Sequence, residues 1–290
     1  MTNCCSNCPR NSYHLALVVE GGAMRSVFSA GLLDGFLKRQ FNPFDFYIGV
    51  SAGAYNLAAY MAGGAGKSIE IYRYLALNKR FINYYRFILG GHLLDLDWLF
   101  ETTLSSSHLD TAAVYRDDNP LYVCVSDVGT GEAVYIKTTP ENLENAIKAS
   151  TALPLLYRGF PAINGRHMTD GGVAEGIPVA EAIRMGARRI LVVRSRHKDY
   201  VKKDTLGHKF IRWKLRKHPN LIAAMEQRVK KYEDTIGLIR NPPKNVKITE
   251  ICPPADFTIG RFNQNPESLL QGYNVGLSAA DAAIKQWENL

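Results

Sequence analysis

The chain has 290 residues, 46% of them hydrophobic, and a formal net charge of +8. That composition supplies a sizeable core, and α/β folds of this length are often one unit rather than two. No window holds 18 uninterrupted apolar residues, which excludes a simple hydrophobic membrane span.

The first residues, "MTNCCSNCPRNSYH", have no apolar stretch of the kind a secretory signal needs. Residues 1–12 read as a loose Cys-containing tail. Five cysteines, three of them within the first eight residues, do not form a disulfide framework and point to a reducing, cytoplasmic setting. Cys4, Cys5 and Cys8 form a Cys-Cys-x-x-Cys group that could bind a metal, but no fourth ligand is in view.

"LALVV" at 15–19 reads as a buried strand entering the Gly21-Gly22 turn. Residues 26–40 place Val27, Phe28, Leu32, Phe36 and Leu37 on helical spacing. Residues 45–50 read as the next strand. Residues 52–62 read as a helix that stops at Gly63-Gly64. Strand–turn–helix repeated twice is the opening of a parallel α/β sheet. The aromatic stretch 72–100 is expected to be helical, and its part 81–100 reads as the wall of a pocket or as core. A strand at 121–128 turns at Thr130-Gly131 into a hairpin partner at 132–138. A helix at 141–150, strands at 188–195 and 246–253, and one amphipathic helix at 266–290 complete the reading.

Charge is local. Between Arg196 and Lys231 stand twelve Lys/Arg and three Asp/Glu, a net +9, so the rest of the chain is close to neutral. Cations alternate there with Phe210, Ile211, Trp213 and Leu215. This pattern fits a solvated helix, or a surface that docks on anionic lipid with apolar side chains at the interface. Nucleic acid is the disfavoured partner, because no recognition motif accompanies the run.

Three stretches carry chemistry. Gly49-Val50-Ser51-Ala52-Gly53 is Gly-x-Ser-x-Gly between a strand and a helix, the setting of a nucleophile elbow. Small residues at Gly49 and Gly53 let the chain turn sharply, and the following helix aims its first N–H groups at the reacting centre. Asp170-Gly171-Gly172 sets a carboxylate ahead of two glycines; taken alone it also reads as a plain β-turn. Gly21-Gly22-Ala23-Met24-Arg25 exposes successive N–H groups ahead of a helix, an arrangement that binds an oxyanion or phosphate. It matches neither a dinucleotide fingerprint nor a P-loop. A serine nucleophile needs a base. Of seven histidines, His197, His208 and His218 fall late in the chain but inside the basic run, and His167 has no motif around it.

In this order the three stretches resemble the patatin-like phospholipases, and "ASTALPLLYRGF" at 149–160 resembles the segment that family carries ahead of its Asp-Gly-Gly. The resemblance covers roughly 14–195. It assigns 13–195 to a catalytic domain and 196–290 to a basic and C-terminal region packed on it. It implies a largely parallel sheet with helices on both faces, and a serine acyl hydrolase acting on lipid esters. It also implies a Ser51–Asp170 dyad without histidine, an oxyanion hole from the loop Gly21, Gly22, Ala23, Met24 and Arg25, and no metal or cofactor. The cysteines and the basic run set the expected location, cytoplasmic with peripheral membrane contact. Two departures stand out: the family's third glycine is Ala23, and the residue after Arg25 is Ser26. If the third position needs φ > 0, Ala23 strains it by about 1 kcal/mol. Two alternatives stay open, a catalytically weak lipid-binding protein of the same fold and a Ser-His-Asp hydrolase.

Overall fold

A computed structural model of the chain describes residues 14–105, 109–202 and 208–289. Cys4, Cys5, Cys8 and the tail 1–12 therefore lie outside the described residues, as do 203–207 of the basic run. The chain opens with β1 (Leu15–Val19), a 3-10 turn (Ala23–Ser26), α1 (Val27–Lys38), β2 (Phe46–Val50), α2 (Ala52–Met61) and α3 (Lys67–Leu77). Short helices α4 (Tyr84–Ile88), α5 (Leu96–Ser105) and α6 (Thr111–Val114) lead to β3 (Leu121–Asp127), β4 (Ala133–Lys137) and α7 (Leu143–Thr151). Then come β5 (Ala162–Ile163), β6 (Arg166–Asp170), α8 (Val179–Arg184) and β7 (Arg189–Val193). The last elements are α9 (His208–Lys214), α10 (Pro219–Arg240), β8 (Lys247–Ile251), α11 (Pro266–Ser278) and α12 (Ala280–Glu288).

Strands β3, β2, β1, β7 and β8 lie side by side and parallel. Strands β4 and β6 run antiparallel to β3, and β5 antiparallel to β6. The central strands are continuous apolar runs because both faces are covered. In β1, Leu17 and Val19 enter the core beneath α1, α2, α7 and α11, while Ala16 and Val18 enter a second core beneath α8 and α10. The expected architecture, a mostly parallel sheet with helices on both faces, is the one observed.

One registry positions the site. Strand β2 pairs with β3 only as far as Val50 opposite Cys124. Strand β6 arrives antiparallel and takes over β3 from the next position, with Asp170 opposite Val125. The two strands thus end toward each other beside β3. Ser51 is the residue after β2 and Asp170 is the last of β6.

The C-terminal helices are tied to α1 by close approach. A Cβ on Gly31 would lie 1.9 Å from the Tyr273 carbonyl oxygen, and one on Gly276 would lie 2.0 Å from that of Phe28. Only glycine at both places lets the α1 and α11 backbones meet.

Three elements differ from the sequence reading. Residues 72–100 are not one helix: α3 ends at Leu77, Ile82 bridges Leu94, and α4 closes at Gly90-Gly91, where Gly90 has φ 100°. The terminal stretch 266–290 is two helices joined at Ala279 rather than one. Residues 166–170, given no element in the sequence reading, form a strand; its exposed Arg166 and His167 obscure the pattern, and only Met168, Thr169 and Asp170 are buried.

Candidate active site

Ser51 sits at the tip of the turn from β2 into α2, with φ 54° and ψ −130°, a left-handed conformation that a side chain adopts only under constraint. Its neighbours show why they are glycine. A Cβ on Gly49 would lie 2.4 Å from Ala54 Cα, and one on Gly53 would lie 2.7 Å from the Val19 carbonyl oxygen. The turn is held from behind by Ser150, whose Oγ accepts the Ser51 N–H at 2.7 Å and donates to the Cys124 carbonyl at 2.6 Å. Ser150 lies in the 149–160 segment noted in the sequence, but its latch role had no local signal there.

Asp170 is buried, and its Oδ1 accepts the Gly172 N–H at 2.8 Å. The Ser51 side chain lines the same polar hollow as this carboxylate, and its hydroxyl favours the ionised form. Arg228 Nε donates to the Gly172 carbonyl at 2.7 Å and so braces the same turn. Burial pushes the Asp170 carboxyl above the usual range; the charges of Arg228 and Arg261, then the Gly172 N–H and the Ser51 hydroxyl, offset this in part. The outcome is an aspartate with raised proton affinity in the same hollow as a serine hydroxyl.

The glycine loop closes the third side. A Cβ on Gly21 would lie 2.7 Å from the Val50 carbonyl oxygen, so the loop is pressed against the end of β2. Ala23 has φ 51°, the left-handed conformation that a glycine would adopt freely. Among the described residues, the Gly21, Gly22 and Ala23 N–H groups donate to no protein acceptor. The Met24 N–H goes to the Arg261 carbonyl at 3.3 Å and the Arg25 N–H to the Gly22 carbonyl at 3.2 Å. Met24 is buried. The Arg25 guanidinium is buried as well, its Nε has no hydrogen-bond partner among the described residues, and burial beside Arg196 and Arg261 lowers its pKa to about 10.

Two hollows meet at Ser51 and share Ala23 and Leu153. One is polar and contains Gly21, Gly22, Arg25 and Asp170. The other is apolar, with Tyr55, Ile71, Leu75, Phe81, Leu96 and Phe100 among its walls. The aromatic stretch is therefore divided: Phe81 lines the apolar hollow, Trp98 is core, and Tyr84 and Tyr85 are exposed. No histidine among the described residues lines either hollow. His92 stacks on Tyr157, His197 meets Tyr200 edge-on, and His218 meets Phe160 edge-on. His167 Nδ1 lies 3.2 Å from the Phe160 carbonyl. Among the described residues no cluster could hold a metal ion.

The basic run divides too. Phe210 and Trp213 are exposed on α9, but Leu215 is buried with Leu221 and Val128 and belongs to a core instead of a docking face. Its members Arg196, Lys202 and Arg228 reach the polar hollow, together with Arg261 from far along the chain. No local pattern marks this convergence, because it depends on how α10 and the segment before α11 fold back. Among the described residues, no helix is long and apolar enough to cross a membrane.

The model of the patatin-like phospholipase family matches residues 17–183, and that of a domain of unknown function (DUF6363) matches residues 218–290. The chain is 35% identical over 269 residues to the uncharacterized protein YjjU of Escherichia coli (strain K12), covering 90% of this chain and 74% of that protein. It is 26% identical over 193 residues to the probable lipid hydrolase 463L of Invertebrate iridescent virus 6, covering 59% of this chain and 64% of that one. Among solved structures, VipD from Legionella pneumophila aligns over 96% of this chain and 67% of its own, with 14% identity and a TM-score of 0.47. With more than half of its length matched by the family model, the chain belongs to the patatin-like phospholipase family.

Proposed function

We propose that the chain is a carboxylic ester hydrolase of lipids in which Ser51 is the nucleophile and Asp170 the base. Family membership supports lipid hydrolase activity in general. The observation that supports the finer reading is the meeting of β2 and β6 beside β3, with Ser51 just past the end of one strand, a buried carboxylate of raised pKa at the end of the other, and both lining the polar hollow.

In this reading the acyl chain occupies the apolar hollow and presents its ester carbonyl to Ser51. Ser51 Oγ forms a bond to the carbonyl carbon while its proton passes to Asp170. The carbonyl oxygen becomes an oxyanion and takes N–H groups from the Gly21–Gly22–Ala23 loop, free for this among the described residues. The ester C–O bond then breaks, and the leaving alcohol takes the proton back from Asp170. Water, deprotonated by the same carboxylate, releases the fatty acid and restores Ser51. Treatment with a fluorophosphonate should label Ser51, located by mass spectrometry. Ser51→Ala should lose that label together with turnover of p-nitrophenyl butyrate. Labelling elsewhere, with turnover retained in Ser51→Ala, would overturn the assignment.

A weaker, lipid-binding protein is the second reading, and the left-handed Ala23 favours it. We also propose that the basic segment 196–231 makes peripheral contact with anionic membrane. Phe210 and Trp213 support this as exposed apolar side chains, with Lys214 Nζ 4.8 Å from the Trp213 ring centre. Exposed Tyr85 and Ile88 of α4 extend the surface, since Phe87, Phe210 and Lys214 line a common groove.

A further inference from the structure

Five cationic side chains, Arg25, Arg196, Lys202, Arg228 and Arg261, line the polar hollow beside Ser51, against two carboxylates, Glu20 and Asp170. Both carboxylates are engaged locally: Glu20 Oε2 accepts the Ser195 N–H at 2.7 Å, and Asp170 Oδ1 accepts the Gly172 N–H at 2.8 Å. None of the five cations forms an ion pair among the described residues. Arg196 instead lies 4.3 Å over the Tyr200 ring, and Lys202 Nζ lies 4.5 Å over that of Tyr232. Arg25 contributes a buried Nε without a partner.

Like charges gathered in a part-buried cleft repel one another and destabilise the fold. That repulsion is felt here. Arg196 and Arg261 lower the pKa of Arg25, and burial next to Arg228 brings Lys202 down to about 7. A cleft of this kind favours an anion that offers several oxygens to several donors at once, which is the chemistry of phosphate. Its place matters as much as its charge. The apolar hollow also opens onto Ser51, so an amphiphile bound across both would set its ester between an acyl tail and an anionic head.

Resting on the hydrolase reading above, we infer that this cationic cleft is a phosphate subsite that selects acyl esters carrying an anionic phosphate close to the scissile bond. Four of its five cations lie beyond residues 17–183, the span matched by the family model. The selectivity is thus contributed by the C-terminal part of this chain.

Three water-soluble esters that differ only in the head test the inference: 1-octanoylglycerol 3-phosphate, its phosphocholine counterpart and 1-octanoylglycerol. For the wild type, kcat/KM for the phosphomonoester should exceed that for the neutral ester by roughly 10- to 100-fold, the worth of one or two charge-assisted hydrogen bonds. The zwitterion should fall between them. In Arg196→Gln/Arg261→Gln, with its fold checked by circular dichroism, the ratio should drop about 10-fold or more. In parallel, calorimetry on Ser51→Ala should show glycerol 3-phosphate binding that disappears when the two Arg→Gln changes are added. A wild-type ratio near one, or a ratio unchanged in the double variant, would overturn the subsite. Binding of inorganic phosphate without any head-group preference in turnover would make it a site for free phosphate and overturn the head-group assignment. If no ester is turned over, the hydrolase reading fails on its own. Calorimetry then decides the subsite: binding lost with the two arginines supports it, and no binding overturns it.

Discussion

Ala23 holds a backbone conformation that costs an alanine about 1 kcal/mol and a glycine almost nothing. The departure seen in the sequence therefore carries the strain expected of it if the position is left-handed. Ala23→Gly should relieve that strain and leave turnover equal or higher, with a melting temperature no lower than wild type; a large loss of turnover would show that the methyl group is needed. Asp170 makes a second prediction at this scale. Its folded pKa is raised chiefly by burial, so the carboxyl stays protonated, and unable to accept the Ser51 proton, to a higher pH than an ordinary aspartate near ~3.9. The acid limb of kcat/KM should accordingly lie above that value, with activity gained as pH rises through it. Arg261 lowers this pKa, so Arg261→Gln should move the limb to still higher pH. A limb at or below the ordinary value, or one shifted down in Arg261→Gln, would contradict the account.

Helix α11 meets α1 through Gly31 and Gly276, where a methyl group would fall about 2 Å from a backbone oxygen. Backbone cannot yield as a side-chain tip can, so Gly276→Ala should destabilise the protein by about 3 kcal/mol or more, read as a fall of roughly 10 °C in Tm. A change within a degree would show that the helices can part without cost. The elements that sequence reading captured are those with a strong period or a continuous apolar run. Strands β1, β2, β3 and β7 sit in the middle of the sheet, where both faces demand apolar residues, and α1 and α2 follow glycine turns. Strand β6 was missed because half of it is solvent-facing, and the 72–100 stretch because aromatic residues there serve three environments at once: the apolar hollow, the core and the surface. Ser51, Asp170 and the glycine loop were legible as local motifs. Ser150 and the distant cations were not, since nothing local marks a residue whose role is set by what folds back upon it.

At the scale of the whole molecule, β8 extends the sheet beyond β7 and α11 lies against α1, so the C-terminal region contributes to the same cores as the family-matched part. We propose that the chain unfolds as one unit, with a single calorimetric transition; two separable transitions would contradict this. The proposed membrane contact should be salt-sensitive. Binding to vesicles containing phosphatidylglycerol should weaken as salt rises, and Phe210→Ser/Trp213→Ser should reduce it at every salt concentration. Binding equally tight to neutral vesicles would argue against an electrostatic dock. The central claim is that the fold joins two residues 119 positions apart into a dyad that needs no histidine. The most direct test is to compare steady-state hydrolysis of p-nitrophenyl butyrate by Asp170→Asn with hydrolysis by single His→Ala variants at all seven histidines. The account predicts that Asp170→Asn is nearly as inactive as Ser51→Ala, because the amide keeps the shape but cannot take the proton, while every folded His→Ala variant retains most of its activity. One folded His→Ala variant as inactive as Ser51→Ala would contradict it and put a Ser-His-Asp hydrolase in its place.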